Sequence, residues 1–465
     1  MKKVLTSIIV VVLLLTCTLT VLTACQPPVD YEHTIVFYSS QGDALVKKTQ
    51  NAIAAFEAKF PGWKVQHLTQ GGYDDVRSKV VSDFQGQQQP DLVYCYADHV
   101  AQYIQTGKVV NMMKFINSEE SVTGEDDKQY AIGYDETEIA DFVEGYYVEG
   151  YAKNFTGYEE YYDADDMLAL PFVKSTEVLY YNNTALKKAG ISAPATTWEE
   201  LWAQAATLKK RFPNAVPLGY DSEANWFITM CEQNGWGYTS TVKNDHYKFN
   251  GQEQQDWLEE LAGYYDLKYI ATQTEYGSYT SALFTAGEET GCIYCVGSSG
   301  GASHQNPNGK FEWGVAPIPG SANGVAGKKN AAISQGPSLA ILSGGHKVSN
   351  VEEKELMTWM FVKELLDPTF QAEFAEASGY NPARISANED PDYVDFLDGD
   401  SIVAATAKVA AQMAEDNLFF TSPAFVGSST ARTQVGNALV AALTGQKSPA
   451  DALNDAFRFC GGSSN

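Results

Sequence analysis

Short apolar segments alternate with segments of helical periodicity from Thr34 onward. The pattern predicts a strand over Thr34 to Tyr38, a helix over Ala44 to Phe60 and a second strand over Trp63 to Leu68. It continues with a helix over Tyr73 to Phe84 and a strand over Asp91 to Tyr94. Strands separated by helices form mostly parallel sheets, so we predict an α/β fold.

The same alternation extends through the rest of the chain. Residues Leu168 to Asn182 are extended and apolar, and Thr197 with Glu200 forms a capping-box pattern at the start of a helix. A further strand is predicted over Ala331 to Leu342, and the end of the chain, Gly427 to Phe459, has helical periodicity. With 465 residues, the chain is long enough for two large domains.

The first residues have the features of an export signal. Lys2 and Lys3 precede an apolar run, Val4 to Leu15, which is short for a membrane span. The run leads to Leu22-Thr23-Ala24-Cys25, which resembles the lipobox of bacterial lipoproteins. We therefore expect a signal peptide over residues 1–24, lipid attachment at Cys25 and a tether over 25–30. The alternative is an ordinary secretory leader with an incidental cysteine.

The charge balance excludes one large class of partners. The chain has 58 acidic and 32 basic residues, a formal net charge of -26, so binding to nucleic acid through a basic surface is not expected. Residues 119–166 are especially acidic, and we interpret them as a solvated face. A calcium loop is the alternative, but Asp126, Asp135 and Asp165 do not have the required spacing. We expect no bound metal.

The cysteine pattern indicates neither a zinc site nor a redox site. Cys292 and Cys295 are separated by two residues, but no second such pair provides the four ligands that zinc needs. Their apolar neighbours are typical of a buried strand, so we predict core thiols. No cofactor is expected.

Short motifs in a characteristic order carry a family resemblance. They are Phe37-Tyr38-Ser39, Tyr73-Asp74-Asp75, Gln89-Pro90-Asp91-Leu92, Leu170-Pro171-Phe172, Ser175-Thr176-Glu177-Val178-Leu179-Tyr180-Tyr181-Asn182, Thr197-Trp198-Glu199-Glu200-Leu201, Gly297-Ser298-Ser299-Gly300, Val315-Ala316-Pro317-Ile318-Pro319-Gly320 and Gly379-Tyr380-Asn381-Pro382. As a series they resemble the family 1 extracellular solute-binding proteins of ATP-driven (ABC) bacterial importers. Within that family, the chain is most similar to the binders of glycerol phosphate and its diesters, and sugar binders share most of these segments.

The resemblance implies two α/β lobes, a hinge of crossing strands and a ligand cleft between the lobes. By similarity, lobe one contains residues 31–170 and 318–365, and lobe two contains 171–317 and 366–465. The crossings are expected near Ala169 to Phe172 and near Val315 to Pro319, with a return around Lys363 to Pro368.

The resemblance also implies a set of cleft residues. By similarity to the glycerol phosphate binders, they are Tyr73, Ser175, Trp226, Ser299, Gly336, Tyr380 and Arg432. Trp226, Ser299 and Tyr380 are expected to share one groove, with aromatic faces against a sugar or polyol. Lys174, beside Ser175, departs from the family pattern, which has a small polar residue there.

Three further residues are predicted for the site. Tyr38 and Ser39 end the first strand, and ligands of open α/β sheets bind outside the carboxyl ends of strands. Asp98 follows Ala97, which stands where the phosphate-binding relatives have a carboxylate, so Asp98 is expected to accept sugar hydroxyls.

Arg432 distinguishes the two ligand classes. A guanidinium holds phosphate through two parallel hydrogen bonds, whereas a neutral sugar needs no such partner. The alternative is a surface or salt-bridged arginine.

Together these features predict a lipid-anchored receptor on the extracellular face of the membrane, or on the periplasmic side in a bacterium with two membranes. We expect a monomer that captures a mono- or oligosaccharide or a polyol phosphate and delivers it to the membrane subunits of an ABC importer. Specificity for glycerol-3-phosphate or a glycerophosphodiester is the alternative within this class. A secreted glycan hydrolase is the alternative class, because Gly297 to Gly301 formally matches a nucleophile elbow centred on Ser299. The polar, proline-broken segment that follows argues against that elbow.

Overall fold

The computed structural model describes residues 29–462. The predicted signal peptide, the lipid attachment residue Cys25 and the first part of the tether lie outside the described residues. None of the helices between residues 29 and 462 is both long enough and apolar enough to cross a membrane.

The strands of the described chain are short. In chain order they are β1 (Thr34–Ser39), β2 (Lys64–Thr69), β3 (Leu92–Cys95), β4 (Ser121–Thr123), β5 (Gln129–Ala131), β6 (Leu170–Pro171), β7 (Val173–Lys174), β8 (Glu177–Asn182), β9 (Val216–Tyr220), β10 (Ile270–Thr272), β11 (Cys292–Ser298), β12 (Trp313–Pro317), β13 (Ala332–Ile333), β14 (Ser338–Ile341), β15 (Asn381–Pro382) and β16 (Phe419–Phe420).

Helices connect and cover these strands. The α-helices are α1 (Asp43–Lys59), α2 (Tyr73–Gly86), α3 (Ala97–Tyr103), α4 (Met113–Ile116), α5 (Glu136–Ala140), α6 (Glu144–Tyr147), α7 (Asn183–Lys188), α8 (Trp198–Arg211), α9 (Glu223–Asn234), α10 (Gln252–Asp266), α11 (Gln273–Tyr276), α12 (Ser281–Ala286), α13 (Val351–Leu365), α14 (Pro368–Ser378), α15 (Ile385–Asn388), α16 (Pro391–Leu397), α17 (Ile402–Glu415), α18 (Ser428–Leu443) and α19 (Pro449–Phe459). Short 3₁₀ turns cover Ile104–Thr106, Glu125–Asp127, Val148–Gly150, Ala152–Asn154, Tyr158–Glu160, Ser299–Gln305 and Gly345–Lys347.

Two five-stranded sheets form the centres of two lobes. The first-lobe sheet has the order β2-β1-β3-β14-β6, in which β1 is parallel to β2 and β3 while β14 is antiparallel to β3. The second-lobe sheet has the order β10-β9-β11-β8-β12, in which β9 is parallel to β10 and β11. Strand β8 is antiparallel to both of its neighbours, β11 and β12. This arrangement confirms the predicted two-lobe α/β fold.

Each lobe has its own apolar core. In the first lobe, the ring of Phe361 on α13 packs 6.1 Å from Phe37 on β1 and 5.5 Å from Phe56 on α1, measured between ring centroids. In the second lobe, Leu218 on β9 and Val296 on β11 are fully buried among the residues of α8, α9 and α18. Cys292 and Cys295 are buried free thiols of β11, as the sequence predicted.

The chain passes between the lobes through segments that lie side by side. The amide of Ser175 donates to the carbonyl of Gln335 over 2.9 Å, and the amide of Phe172 donates to the carbonyl of Pro337 over 3.1 Å. Strand β15 pairs with β7 beside them. Helix α14, which follows the expected return at residue 366, still packs in the first-lobe core through Phe370 and Phe374. The exact lobe boundaries stay a prediction.

Several local predictions are refined by the structure. The strand predicted over Ala331 to Leu342 is interrupted at Gly336, whose φ of 100° is in the left-handed half of conformational space. The last helical segment is two helices, α18 and α19, because Ser448 caps a new helix that begins at Pro449. Thr197 caps α8, but the carboxylate of Glu200 accepts from Thr196 rather than completing a capping box with Thr197.

Candidate ligand-binding site

A cavity lies between the two lobes, where the crossing segments meet the ends of strands. We call it the interlobe cavity, and it is lined by Tyr96, Ala97, Asp98, Glu149, Gly150, Phe155, Ala169, Lys174, Tyr238, Ile333, Ser334, Gln335, Gly336, Ser338, Thr421, Ser422, Pro423, Ser428 and Arg432. Its volume is about 90 Å³, several times the roughly 10–15 Å³ that one water molecule requires. The cavity has room for a small polar solute.

The first lobe contributes the residues that follow β3. Tyr96, Ala97 and Asp98 lie at the carboxyl end of this parallel strand, which is where open α/β sheets bind ligands. Strand β3 is next to β14 in the sheet, and β14 starts at Ser338 on the cavity wall. The residues that follow β3 therefore form the first-lobe wall of the cavity.

The second lobe contributes a guanidinium. Arg432 lies on α18 and lines the cavity, and its Nη2 donates to the side-chain oxygen of Asn225 on α9. Among residues 29–462, no carboxylate oxygen lies within ion-pair distance of Arg432. A half-buried cation without an acidic partner is suited to an anionic group of a ligand.

Buried polar groups hold Arg432 in place from behind. Asn225 Nδ2 donates to Glu177 Oε1 over 2.9 Å, and the Tyr220 hydroxyl donates to Glu177 Oε2 over 2.7 Å. Burial raises the pKa of Glu177 to about 7, although these hydrogen bonds and the nearby guanidinium of Arg432 favour its charged form. The orientation of Arg432 therefore depends on a chain of hydrogen bonds that begins at Glu177.

A second cation of the wall is neutralised by a carboxylate. Lys174 on β7 forms an ion pair with Glu149, and the Lys174 ammonium lies 5.6 Å from the ring centroid of Tyr146. Both charged residues line the cavity. Arg432 and Asp98 are therefore the lining residues whose charges are not balanced by an ion pair with another lining residue.

Three oxygen atoms of the lining are buried without a hydrogen-bond partner among the described residues. They are Asp98 Oδ1, Ser334 Oγ and Ser422 Oγ. Buried polar groups are normally hydrogen-bonded, so unpaired oxygens in a cavity wall are suited to a ligand that is rich in hydroxyl groups.

Of the residues predicted for the site, Asp98, Gly336 and Arg432 line the interlobe cavity. Gly336 is required there, because a Cβ would lie 2.4 Å from the Val173 carbonyl oxygen and 2.7 Å from Lys174 Cα. Ser175 lies beside Lys174 but is buried, and its backbone pairs with Gln335 instead of lining the cavity.

Tyr73 and Tyr380 belong to an aromatic cluster next to the cavity. The ring of Tyr73 stacks on Tyr96 with centroids 3.9 Å apart, and Tyr94 lies 5.6 Å from Tyr73. The Tyr380 ring lies directly over Gly300, where a Cβ would be 2.5 Å from the ring. Burial is the main cause that raises the pKa of the Tyr380 hydroxyl, so the cluster is neutral.

Ser299 is adjacent to this cluster but is closed to solvent. Its amide donates to the Thr176 carbonyl over 2.8 Å, and its hydroxyl accepts from the Thr176 amide over 3.2 Å. Within the described residues, the hydroxyl has no hydrogen bond to a histidine, and His346 stacks on Tyr31 in the first lobe. The nucleophile elbow considered from the sequence therefore has no base.

Three predicted site residues lie in the cores of the lobes, outside the cavity lining. The Tyr38 hydroxyl donates to Asp83 Oδ2 over 3.0 Å, and Ser39 Oγ lies 2.6 Å from His67 Nε2. Both residues end β1, and β3 separates β1 from the crossing segments. Trp226 is 1% exposed and stacks on Tyr220 at 4.5 Å, so its ring faces the second-lobe core and not the interlobe cavity.

Most of the polar lining was not predicted from the sequence. Ser334 and Gln335 precede Gly336 within an apolar strand pattern, and that break was the available signal for a backbone that turns toward a cavity. Ser422 and Glu149 carried no recognisable signal, because they lie in irregular segments. Tyr238 lines the cavity, whereas Trp236 packs against Trp257 in the second-lobe core.

Metal binding has no support in the arrangement of potential ligands. Within residues 29–462, no three His, Cys, Asp or Glu side chains come together in a group that could hold a metal ion. The acidic residues 119–166 include a short hairpin of β4 and β5 with mostly exposed side chains.

Comparison with known proteins places the chain in a family. A model described as bacterial extracellular solute-binding protein matches residues 51–396. The sn-glycerol-3-phosphate-binding periplasmic protein UgpB of Salmonella typhimurium is 26% identical over 442 residues, which cover 91% of this chain and 90% of that protein. UgpB from Mycobacterium tuberculosis, solved in complex with glycerophosphocholine, has a TM-score of 0.72 at 19% identity and covers 92% of this chain and 97% of its own.

A second solved receptor has nearly the same fold similarity. The GacH receptor of Streptomyces glaucescens, solved in the unliganded form and with acarbose, has a TM-score of 0.71 at 18% identity, covering 92% of this chain and 98% of its own. At these identities the solved structures support the shared fold, and the family model covers most of the chain. The chain therefore belongs to the bacterial extracellular solute-binding proteins.

Proposed function

We propose that this protein is a lipid-anchored extracellular receptor that captures a carbohydrate or a polyol phosphate in the interlobe cavity and delivers it to the membrane subunits of an ABC importer. The relatives named above support both ligand classes, because one group is named for sn-glycerol-3-phosphate and another was solved with acarbose. Glycerol-3-phosphate or a glycerophosphodiester is the ligand that the guanidinium of Arg432 favours.

The single observation that supports this choice is the position of the Arg432 guanidinium. Its guanidinium lines the cavity, its only hydrogen bond among the described residues is to the neutral Asn225, and no acidic side chain of residues 29–462 pairs with it. A phosphate oxygen satisfies the remaining donors of the guanidinium, whereas a neutral sugar leaves a partly desolvated cation without a counter-charge.

Capture proceeds through closure of the lobes. A solute that contacts Arg432 from the second lobe and Asp98 from the first binds the closed form more tightly than the open form. It therefore shifts the equilibrium toward closure by the ratio of its two affinities. The importer recognises the closed form and takes the solute.

A thermal-shift screen tests the proposal. The purified protein is heated with neutral sugars, with sn-glycerol 3-phosphate and with glycerophosphocholine, each in excess. A ligand at about 100 times its dissociation constant adds about 2.7 kcal/mol to the free energy of unfolding, which is a clear shift of the melting temperature. We expect the phosphate compounds to stabilise the protein, and stabilisation by sugars alone would remove the phosphate assignment.

The receptor binds its ligand without converting it. The Ser299 hydroxyl is buried and bonded to the backbone, and the family consists of solute-binding proteins. Mass spectrometry of each stabilising compound after prolonged incubation checks this point, and a new product would indicate a hydrolase instead.

The anchor and the location are proposed from the leader alone. Lipid on Cys25 places the protein at the outer face of the cell membrane, or on the periplasmic side in a bacterium with two membranes. In the producing bacterium, the wild type should incorporate labelled palmitate and Cys25→Ser should not, and equal labelling of the two proteins would contradict the anchor. We expect a monomer by light scattering.

A further inference from the structure

The side chain of Asp98 joins the two lobes. Asp98 lies on α3 of the first lobe, and its Oδ2 accepts a hydrogen bond from the hydroxyl of Ser429 on α18 of the second lobe over 2.9 Å. The two residues are 331 positions apart in the chain. A hydrogen bond to a carboxylate is stronger than one between neutral groups, so this contact contributes to holding the lobes together.

Within the described residues, the other carboxylate oxygen of Asp98, Oδ1, makes no contact of this kind with the second lobe. Oδ1 is buried and has no hydrogen-bond partner among residues 29–462, although Asp98 lines the interlobe cavity. His99 Nε2 lies 3.7 Å from Oδ1, which is beyond hydrogen-bond distance. Burial is the main cause that lowers the pKa of His99, so this neighbour is neutral and does not compensate Asp98.

Helix α18 carries both Ser429, which makes this contact, and Arg432, which lines the interlobe cavity. Ser429 is the second residue of the helix, where the positive end of the helix dipole favours a carboxylate. Arg432 follows three residues later, so Ser429 and Arg432 lie on the same face of α18. Helix α18 therefore places Ser429 at the Asp98 carboxylate of the first lobe and Arg432 at the wall of the cavity.

We propose that Asp98 couples ligand recognition to lobe closure: Oδ2 latches the second lobe through Ser429, while Oδ1 accepts a hydroxyl of the ligand. The ligand role of Oδ1 rests on the proposed function, and the latch does not. The latch raises the closed population of the protein without added ligand, so less of the ligand's binding free energy is needed for closure.

Two variants separate the two roles. Ser429→Ala removes the latch and leaves the carboxylate of Asp98. Asp98→Asn keeps a partner for the Ser429 hydroxyl but replaces the second acceptor oxygen with an amide donor. Thr433→Ala is the matched control, because the Thr433 hydroxyl bonds only to the Ser429 carbonyl within the same helix.

Small-angle X-ray scattering of the protein without added ligand tests the latch. Ser429→Ala should increase the radius of gyration relative to the wild type, Asp98→Asn should increase it less because the neutral hydrogen bond is weaker, and Thr433→Ala should leave it unchanged. A Ser429→Ala variant that scatters like the wild type would overturn the latch.

Calorimetric titration with sn-glycerol 3-phosphate tests the ligand role. We expect the dissociation constant to rise about tenfold in Ser429→Ala and at least tenfold in Asp98→Asn, with no change in Thr433→Ala. Wild-type affinity in Asp98→Asn would overturn the role of Oδ1. If the wild type itself binds no glycerol phosphate, the proposed function and the role of Oδ1 both fail, while the scattering still decides the latch.

Discussion

Lys174 and Glu149 form an ion pair in the wall of the interlobe cavity, with 5% of the lysine side chain and 20% of the glutamate side chain exposed. Removing one member of such a pair leaves the other charge poorly solvated. The pair also contributes to the electrostatic potential at an anionic ligand, because both residues line the same cavity as Arg432.

We therefore expect opposite effects from the two single replacements. Lys174→Met leaves Glu149 uncompensated, so it should weaken the binding of sn-glycerol 3-phosphate and lower the free energy of unfolding by about 2 kcal/mol. Glu149→Gln leaves Lys174 available to the phosphate and should strengthen binding. Calorimetry and urea unfolding measure the two quantities, and shifts of affinity in the same direction would contradict this account of the wall.

Arg432→Ala should weaken the binding of sn-glycerol 3-phosphate about 10- to 100-fold, because a charge-assisted hydrogen bond contributes about 1.5–3 kcal/mol. Arg432→Lys should restore part of the affinity through its charge but not the paired donors. Arg211→Ala, at an exposed position of α8 outside the cavity lining, is the control. Unchanged phosphate binding in Arg432→Ala would show that the guanidinium has only a structural role.

Gly336→Ala should destabilise the protein, as measured by denaturant unfolding. The new methyl group would lie 2.4 Å from the Val173 carbonyl oxygen, in addition to the strain of a φ of 100°. Gly445→Ala separates these causes, since Gly445 has a φ of 67° but no atom within 4 Å of the added Cβ. We expect the control to cost about 1 kcal/mol in unfolding free energy and Gly336→Ala to cost more. Equal costs would contradict the steric argument.

Trp226→Ala should lower the free energy of unfolding by about 3–5 kcal/mol, because a buried aromatic ring leaves a cavity in the second-lobe core. Trp226→Phe should lower the free energy of unfolding by less. Since the indole lies outside the interlobe cavity, the folded Trp226→Phe variant should bind sn-glycerol 3-phosphate as the wild type does. A selective loss of affinity without loss of stability would return Trp226 to the binding site.

Glu177 should make the stability depend on pH. Its pKa is raised from 4.5 to about 7 in the folded protein, so between these values the folded state holds a proton that the unfolded chain has released. The contribution of Glu177 to stability therefore decreases as the pH rises from about 4.5 to about 7, by up to about 3 kcal/mol. Glu177→Gln should remove this part of the slope in denaturant unfolding, while the exposed Glu259→Gln should not. An unchanged slope in Glu177→Gln would contradict the raised pKa.

The strands and helices could be predicted closely where the pattern was regular. Strand β1 and helices α1 and α2 begin within one residue of their predicted starts, because long apolar periodicity fixes which face is buried. Breaks were harder to predict. The polar residues at Gly336 indicate an interruption, but the close contact of this position with Val173, which is distant in sequence, could not be predicted from local propensity.

How much of the cavity lining could be predicted differs among its residues. Asp98, Gly336 and Arg432, which were expected from family resemblance or from their position in the pattern, line the interlobe cavity, and their ligand roles stay predictions. Trp226 lies in the second-lobe core, because an aromatic residue on a helix has the same pattern whether it faces a core or a ligand. Glu149 lies in an acidic stretch that was interpreted as solvated, and only the fold reveals its pairing with Lys174.

A crystal structure of the protein with saturating sn-glycerol 3-phosphate is the most direct test of the central claim. We predict that the compound lies in the interlobe cavity, with its phosphate within hydrogen-bond distance of Arg432 and a hydroxyl group at Asp98 Oδ1. A compound bound outside the cavity, or a phosphate that makes no contact with Arg432, would contradict the account.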